Sequence, residues 1–135
     1  MTGLPSRIYD TSALVRASNM EKGHDAIKTM LQQSKVSAIK DKASVLTAFE
    51  FLFLLGRKSG RSASGALALL REIIDFIPTD YETSNRAAFL RLKYRALNLS
   101  MADAIILQTG IDNGFEVITS DKEWTKVSEA KVKIV

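Results

Sequence analysis

Short apolar segments alternate along this chain with longer stretches of helical spacing, and few folds accept that rhythm. Residues 7–9, 76–79, 117–119 and 132–135 are strand candidates. Residues 24–33 place Ala26, Ile27, Met30 and Leu31 at helical intervals. Residues 48–58, 66–74 and 83–97 also read as helices, with Leu90, Tyr94 and Leu97 on one face of the last and Thr83 or Ser84 as its cap. Residues 60–64 punctuate the chain between two of them. Ser100 caps a further helix that Gly114 ends. The second strand has two candidate positions, 36–39 and 43–47. The later one is preferred because it puts Glu50 just past a strand end. Strands alternating with helices imply a parallel sheet covered on both faces. Right-handed crossovers then give the α/β class: a three-layer α/β/α sandwich around a central, mainly parallel sheet. At 135 residues the chain suits one domain spanning 1–135.

Composition narrows the chemistry. The chain has no cysteine, which removes disulfides, thiolate zinc sites and cysteine nucleophiles, and it has a single histidine. No apolar stretch reaches the roughly 18 residues that cross a bilayer. No basic start followed by an apolar run suggests a signal peptide. The expectation is a cytoplasmic protein with no membrane association. A net charge of +4 favours a polyanionic partner over an acidic or neutral one.

Three carboxylates stand alone in apolar surroundings. Asp10 is the only charge between Arg7 and Arg16, Glu50 between Lys42 and Arg57, and Asp103 between Arg95 and Asp112. An unpaired buried carboxylate is costly, so it needs a cation, a hydrogen-bond network or a proton. Each has a structural role that competes with a functional one. Asp10 could cap a helix starting near Ser12. Asp103 follows Ser100 in a capping-box pattern. Glu50 could be half of a buried ion pair. Asp121 sits in a turn where acids are common. Their joint placement argues for a shared purpose, since Asp10 and Asp121 follow strands and Asp103 opens a helix. Ligands in open parallel sheets bind beyond the carboxyl ends of the strands. Carboxylates without histidine or cysteine make a hard-ligand set suited to Mg²⁺ or Mn²⁺, with repulsion raising some pKa values where no metal is bound.

These segments resemble the motifs of a known family. Tyr9-Asp10-Thr11-Ser12-Ala13-Leu14 resembles the first motif of PIN domains. Glu50, after Ser44-Val45-Leu46-Thr47-Ala48-Phe49, resembles the second. Ser100-Met101-Ala102-Asp103-Ala104 resembles the third, and Thr119-Ser120-Asp121-Lys122-Glu123-Trp124 the fourth. The order and spacing span nearly the whole chain, and the size matches small members such as the VapC toxins. The resemblance implies a PIN-like fold and a Mg²⁺- or Mn²⁺-dependent endoribonuclease. It implies Asp10, Glu50, Asp103 and Asp121 as catalytic, metal-binding residues, with Ser12 and Thr119 as accessory hydroxyls. It further implies the toxin of a toxin–antitoxin pair, with a small antitoxin as partner. Glu123 stands where another acidic residue is often found, so its role stays open.

Hydrolysis would use a metal-activated water attacking in line, with no protein nucleophile. Arg57, Lys58 and Arg61 form one basic patch. Arg91 and Arg95 lie one turn apart on a helix also carrying Arg86 and Lys93. These are the candidates for RNA phosphate contacts, or else a solvated helix face. His24 lies away from the motifs. Phe49, Phe51, Phe53 and Leu54 are too many apolar groups for one buried stripe. They suggest a homodimer interface or an antitoxin groove, unless the helix is central in the core. Trp124 packs at the sheet edge. Competing readings are an RNA-processing nuclease outside any toxin system, and a catalytically silent RNA- or protein-binding scaffold. A receiver-type phosphotransfer domain would want an acidic pair at the end of strand 1, where Asp10 stands alone. A haloacid-dehalogenase-type phosphatase would want an acid where Ser12 stands.

Overall fold

A computed structural model describes residues 6–135, apart from the side chains of residues 58–61. In chain order the elements are β1 (Arg7–Tyr9), α1 (Thr11–Ser18), α2 (His24–Val36), β2 (Lys42–Ser44), α3 (Val45–Ile73), β3 (Asp75–Ile77), α4 (Tyr81–Lys93), α5 (Met101–Asn113), β4 (Glu116–Thr119) and β5 (Lys131–Ile134). Short 3-10 turns cover Arg95–Leu97 and Lys122–Lys126. The five strands form one sheet in the order β3-β2-β1-β4-β5, and every neighbouring pair is parallel.

Side-chain alternation along the central strands builds the two outer layers. Tyr9 and Ile118 point to one face, where they pack with Leu14 of α1, Ile27 and Met30 of α2, and Phe51 and Leu55 of α3. Ile8 and Val117 point to the other face and meet Leu90 of α4, Ile106 and Leu107 of α5, and Trp124. The period of two in a strand thus feeds two separate cores. The order reverses between β1 and β4. β1 to β3 build outward on one side, and the chain then crosses to place β4 on the other. The crevice beyond the carboxyl ends of β1 and β4 is the switch point where such sheets take ligands.

Beneath that crevice, a buried polar network ties the strands together. Tyr9 Oη donates to Asp41 Oδ2 at 2.7 Å, and Arg7 Nη1 lies 3.5 Å from the same oxygen. Arg7 Nη2 reaches Gln33 Oε1 at 3.0 Å. Burial, reinforced by the Asp41 carboxylate, pushes the Tyr9 phenol well above its ordinary pKa, so it stays a donor. β1 is thereby fixed to the entry of β2 and to α2.

The structure departs from the sequence expectation at several element ends. The second strand lies at the later of the two candidate positions but stops at Ser44. That hydroxyl accepts the Leu46 N–H at 3.1 Å and starts α3, so residues 45–47 form a helical turn despite two β-branched side chains. A serine cap outweighs a modest β preference. Residues 60–64 do not interrupt the chain either, because α3 runs unbroken for 29 residues. Its second half buries Ala63 and packs Ala66, Leu67 and Leu70 against the first core, which outweighs the glycine cost. α4 is capped by Asp80, which accepts the Thr83 N–H at 2.8 Å, not by Thr83 or Ser84. It ends at Lys93, and Arg95–Leu97 tighten into a 3-10 turn.

Two glycines allow a test of the layer packing. A Cβ on Gly110, mid-α5, would meet Val117 Cγ2 at 2.6 Å, whereas one on Gly56 in α3 would meet nothing within 4 Å. Gly110→Ala should destabilise by about 1–3 kcal/mol through overpacking against a central strand. Gly56→Ala should stabilise by up to about 1 kcal/mol through helix propensity. Urea titration of both variants checks the pair. Equal effects would mean that α5 does not sit as close to β4 as described.

Candidate active site

Asp10 lies between the end of β1 and the start of α1. Its backbone is extended and serves as the helix N-cap, but its side chain makes no capping bond. The carboxylate turns across the switch point instead. Oδ2 accepts Ser12 Oγ–H at 2.6 Å and Thr119 Oγ1–H at 2.8 Å, and the Asp10 N–H donates to Ile118 O at 2.8 Å. Ser12 and Thr119 lie 3.5 Å apart, and the Ser120 N–H reaches Ser12 Oγ at 3.3 Å. The two hydroxyls therefore lock the ends of β1 and β4 together through one carboxylate oxygen.

Glu50 enters from the second turn of α3. Thr11 Oγ1 donates to its Oε1 at 2.6 Å and lies 3.3 Å from Thr47 Oγ1. Asp103 enters from the first turn of α5. It forms a complete capping box with Ser100: Ser100 N–H donates to Asp103 Oδ2, and Asp103 N–H donates to Ser100 Oγ, both at 3.0 Å. The competing structural role of Asp103 is therefore present, and it coexists with placement toward Asp10. The Glu50 alternative is not seen: among the described residues Glu50 has no ion pair, and neither do Asp10, Asp103 or Asp121.

Asp10 is only 5% exposed, and its carboxyl is pushed up to about 6. Burial is the main cause. The Ser12 and Thr119 hydroxyls oppose it by stabilising the charge, and the Asp103 and Glu50 carboxylates add repulsion. Asp10, Glu50 and Asp103 thus form one electrostatic unit. Asp121 sits apart at the exposed rim. Its N–H donates to Thr119 Oγ1 at 3.1 Å, and its Oδ1 accepts the Glu123 N–H at 3.0 Å to start the following 3-10 turn. Glu123 itself pairs with Lys126 at 2.7 Å on the surface.

Among the described residues, no three acidic or histidine side chains converge closely enough to hold an ion. The donor chemistry nonetheless suits a hard divalent cation. Every candidate donor is a carboxylate or hydroxyl oxygen, and the three facing carboxylates lack a compensating cation among the described residues.

The basic candidates divide into two groups. Arg86 is held by Asp112 at 2.7 Å and Lys93 by Glu129 at 2.9 Å, so both are committed to the fold. Arg91 donates Nε to Leu99 O at 2.7 Å, which braces the loop leading to Ser100. Arg91 and Arg95 both line a groove of about 440 Å³ with Asn98, Leu99 and Ser100, beside the Asp103 turn. Arg57 stacks over the Phe53 ring at 5.2 Å. The side chains of Lys58 and Arg61 lie outside the described residues. Phe51 is buried, but Phe49 is 70% exposed and Phe53 57%, with their rings stacked. His24 opens α2, 3.5 Å from Asp25, and makes no bond to Asp10, Glu50, Asp103 or Asp121. Trp124 is buried in the second core.

The PIN domain family model matches residues 7–130. The chain belongs to the PIN domain family. Solved structures agree on the fold. A chain of VapBC2 from Rickettsia felis, solved bound to a DNA fragment from its promoter, is similar with a TM-score of 0.78 at 14% identity, covering 95% of this chain and 97% of that one. VapC20 of Mycobacterium tuberculosis, described as a sarcin–ricin loop cleaving toxin, gives 0.76 at 18% identity, covering 95% and 99%. A toxin–antitoxin complex from Klebsiella pneumoniae gives 0.72 at 23% identity, covering 95% and 96%. No curated protein matches the chain. These likenesses, all under 25% identical, bear on the fold. No helix among the described residues is long and apolar enough to cross a membrane.

The Asp10 carboxyl has a consequence for stability. Its folded value lies above the ordinary carboxylate range of about 3.9. Between roughly pH 4 and 6 the folded chain keeps a proton that the unfolded chain has released. Stability from this group is therefore full below that window and falls across it as pH rises, by up to roughly 3 kcal/mol. With divalent ions chelated, Asp10→Asn should melt at a higher temperature than the wild type at pH 7, and the gap should close toward pH 4. Calorimetry across that range checks this. A gap that does not change with pH would place the burden elsewhere.

Proposed function

We propose that this PIN domain is a metal-dependent endoribonuclease and the toxin of a toxin–antitoxin pair. The observation that carries the reading is the Asp10 carboxylate, buried at the switch point, gripped by Ser12 and Thr119 and faced by Glu50 and Asp103. A group so placed costs the fold stability, and a cation held by several carboxylates is what would repay it.

Asp10, Glu50 and Asp103 would hold Mg²⁺ or Mn²⁺, with Asp121 as a further candidate ligand. Such an ion, when bound, lowers the pKa of a water and offsets charge on a phosphoryl group. The chain's own residues do the rest. Ser12 and Thr119 hold the Asp10 carboxylate through its Oδ2. The Ser100 cap holds Asp103 at a set angle on α5. Arg91 and Arg95 line the neighbouring groove and would bind RNA phosphates. RNA as substrate follows the neighbour described as cleaving the sarcin–ricin loop, and a small antitoxin partner follows the VapBC complexes. The exposed pair Phe49 and Phe53 would be covered in a homodimer. This reading sets the protein in the cytoplasm.

A second reading, a catalytically silent scaffold, draws on the absence of a closed ligand set among the described residues. One experiment separates the two. A structured RNA pool is incubated with the purified, partner-free protein with and without Mn²⁺ or Mg²⁺, alongside Asp10→Asn and Asp103→Asn. Metal-dependent cleavage should appear in the wild type and drop at least about 100-fold in both variants, in line with losing a ligand of the reacting ion. A folded wild type that cleaves nothing would favour the scaffold.

A further inference from the structure

Thr11 stands between Asp10 and Ser12, and its bond to Glu50 has so far been given no role. It is 5% exposed, and Thr47, one helix away, is fully buried. Thr11 Oγ1 donates to Glu50 Oε1 at 2.6 Å and lies 3.3 Å from Thr47 Oγ1. Glu50 needs such a partner. It is half-buried on α3, has no ion pair among the described residues, and is repelled by the Asp10 carboxylate. A glutamate has three side-chain torsions, and repulsion alone would swing it toward solvent. A short hydrogen bond to a charged oxygen is among the stronger kinds. Its donor is a β-branched residue whose first torsion is stiff and which buried neighbours hold in place.

We propose that Thr11, backed by Thr47, is a positioning residue that holds Glu50 toward the divalent-ion site. The inference rests on the metal-dependent reading above. Consecutive residues then serve different carboxylates: Ser12 braces Asp10, while Thr11 reaches across from α1 to α3 and braces Glu50. Thr11 acts through its bond to Glu50, and the readout that isolates it is ion affinity.

The test is Mn²⁺ titration of the full chain by calorimetry at neutral pH, with circular dichroism as the fold check. Thr11→Val keeps shape and branching and removes the hydroxyl. It should weaken Mn²⁺ binding about 10-fold or more, the usual effect of losing an outer-shell partner. Thr11→Ser should restore most of that affinity, which a purely packing role would not. In a Glu50→Ala background, Thr11→Val should change nothing further. The proposal fails if Thr11→Val binds Mn²⁺ like the wild type. It fails equally if serine does not rescue, or if the loss persists in the Glu50→Ala background. A wild type that binds no Mn²⁺ brings down the metal-dependent reading and this inference with it, an outcome visible before any variant is made.

Discussion

The rest of the site depends on one carboxylate oxygen with two hydroxyl donors. Asp10 Oδ2 accepts from Ser12 and Thr119, residues 107 positions apart in sequence, and so joins the ends of β1 and β4. The join falls at the reversal of strand order, where the backbones of adjacent strands diverge and leave a crevice. Every other candidate group is placed relative to it. Asp103 comes from the helix that leads into β4, Glu50 from the helix after β2, and Asp121 from the turn after Thr119. A parallel sheet is suited to this, because all its strands deliver their carboxyl ends to the same edge.

The hydroxyls do not make Asp10 comfortable. They lower its pKa, yet burial outweighs them and leaves the carboxyl at about 6. The fold thus maintains a charge at neutral pH that its own surroundings disfavour. Functional sites are where such local penalties persist, because the surrounding packing fixes the geometry that chemistry requires. Here the packing is the pair of cores on either face of Ile8–Tyr9 and Val117–Ile118, which hold the two strand ends in register.

How much of this was legible depends on what each signal measures. The isolation of Asp10, Glu50 and Asp103 among apolar neighbours is a property of sequence, and the structure gathers these three into one electrostatic unit. The strand–helix alternation likewise reads directly as a parallel three-layer sandwich. Element ends were less legible, because caps compete with propensity. Ser44 turned residues 45–47 into helix, and Asp80 captured α4 ahead of Thr83. The unbroken α3 is hidden because the glycine and serines at 60–64 look like punctuation until Ala63, Ala66 and Leu70 find a core to bury against. Thr11 was missed for another reason. A threonine beside a candidate ligand carries no signal until the fold brings α3 within 2.6 Å of it.

The placement of positive charge follows the same logic. Under the proposed nuclease reading a negative pocket would have to accept a polyanion, so the excess of four positive charges matters less than where cations remain uncommitted. Arg86 and Lys93 lie on α4 like Arg91, but carboxylates of α5 and of the loop before β5 bind them. Arg91 instead bonds a backbone carbonyl and, with Arg95, lines the groove beside Ser100. A carbonyl does not neutralise a guanidinium. That charge stays uncompensated beside the groove, while the same bond steadies the loop that presents the capping box. Four cations close together in sequence thus divide, Arg86 and Lys93 held by carboxylates and Arg91 and Arg95 facing a groove.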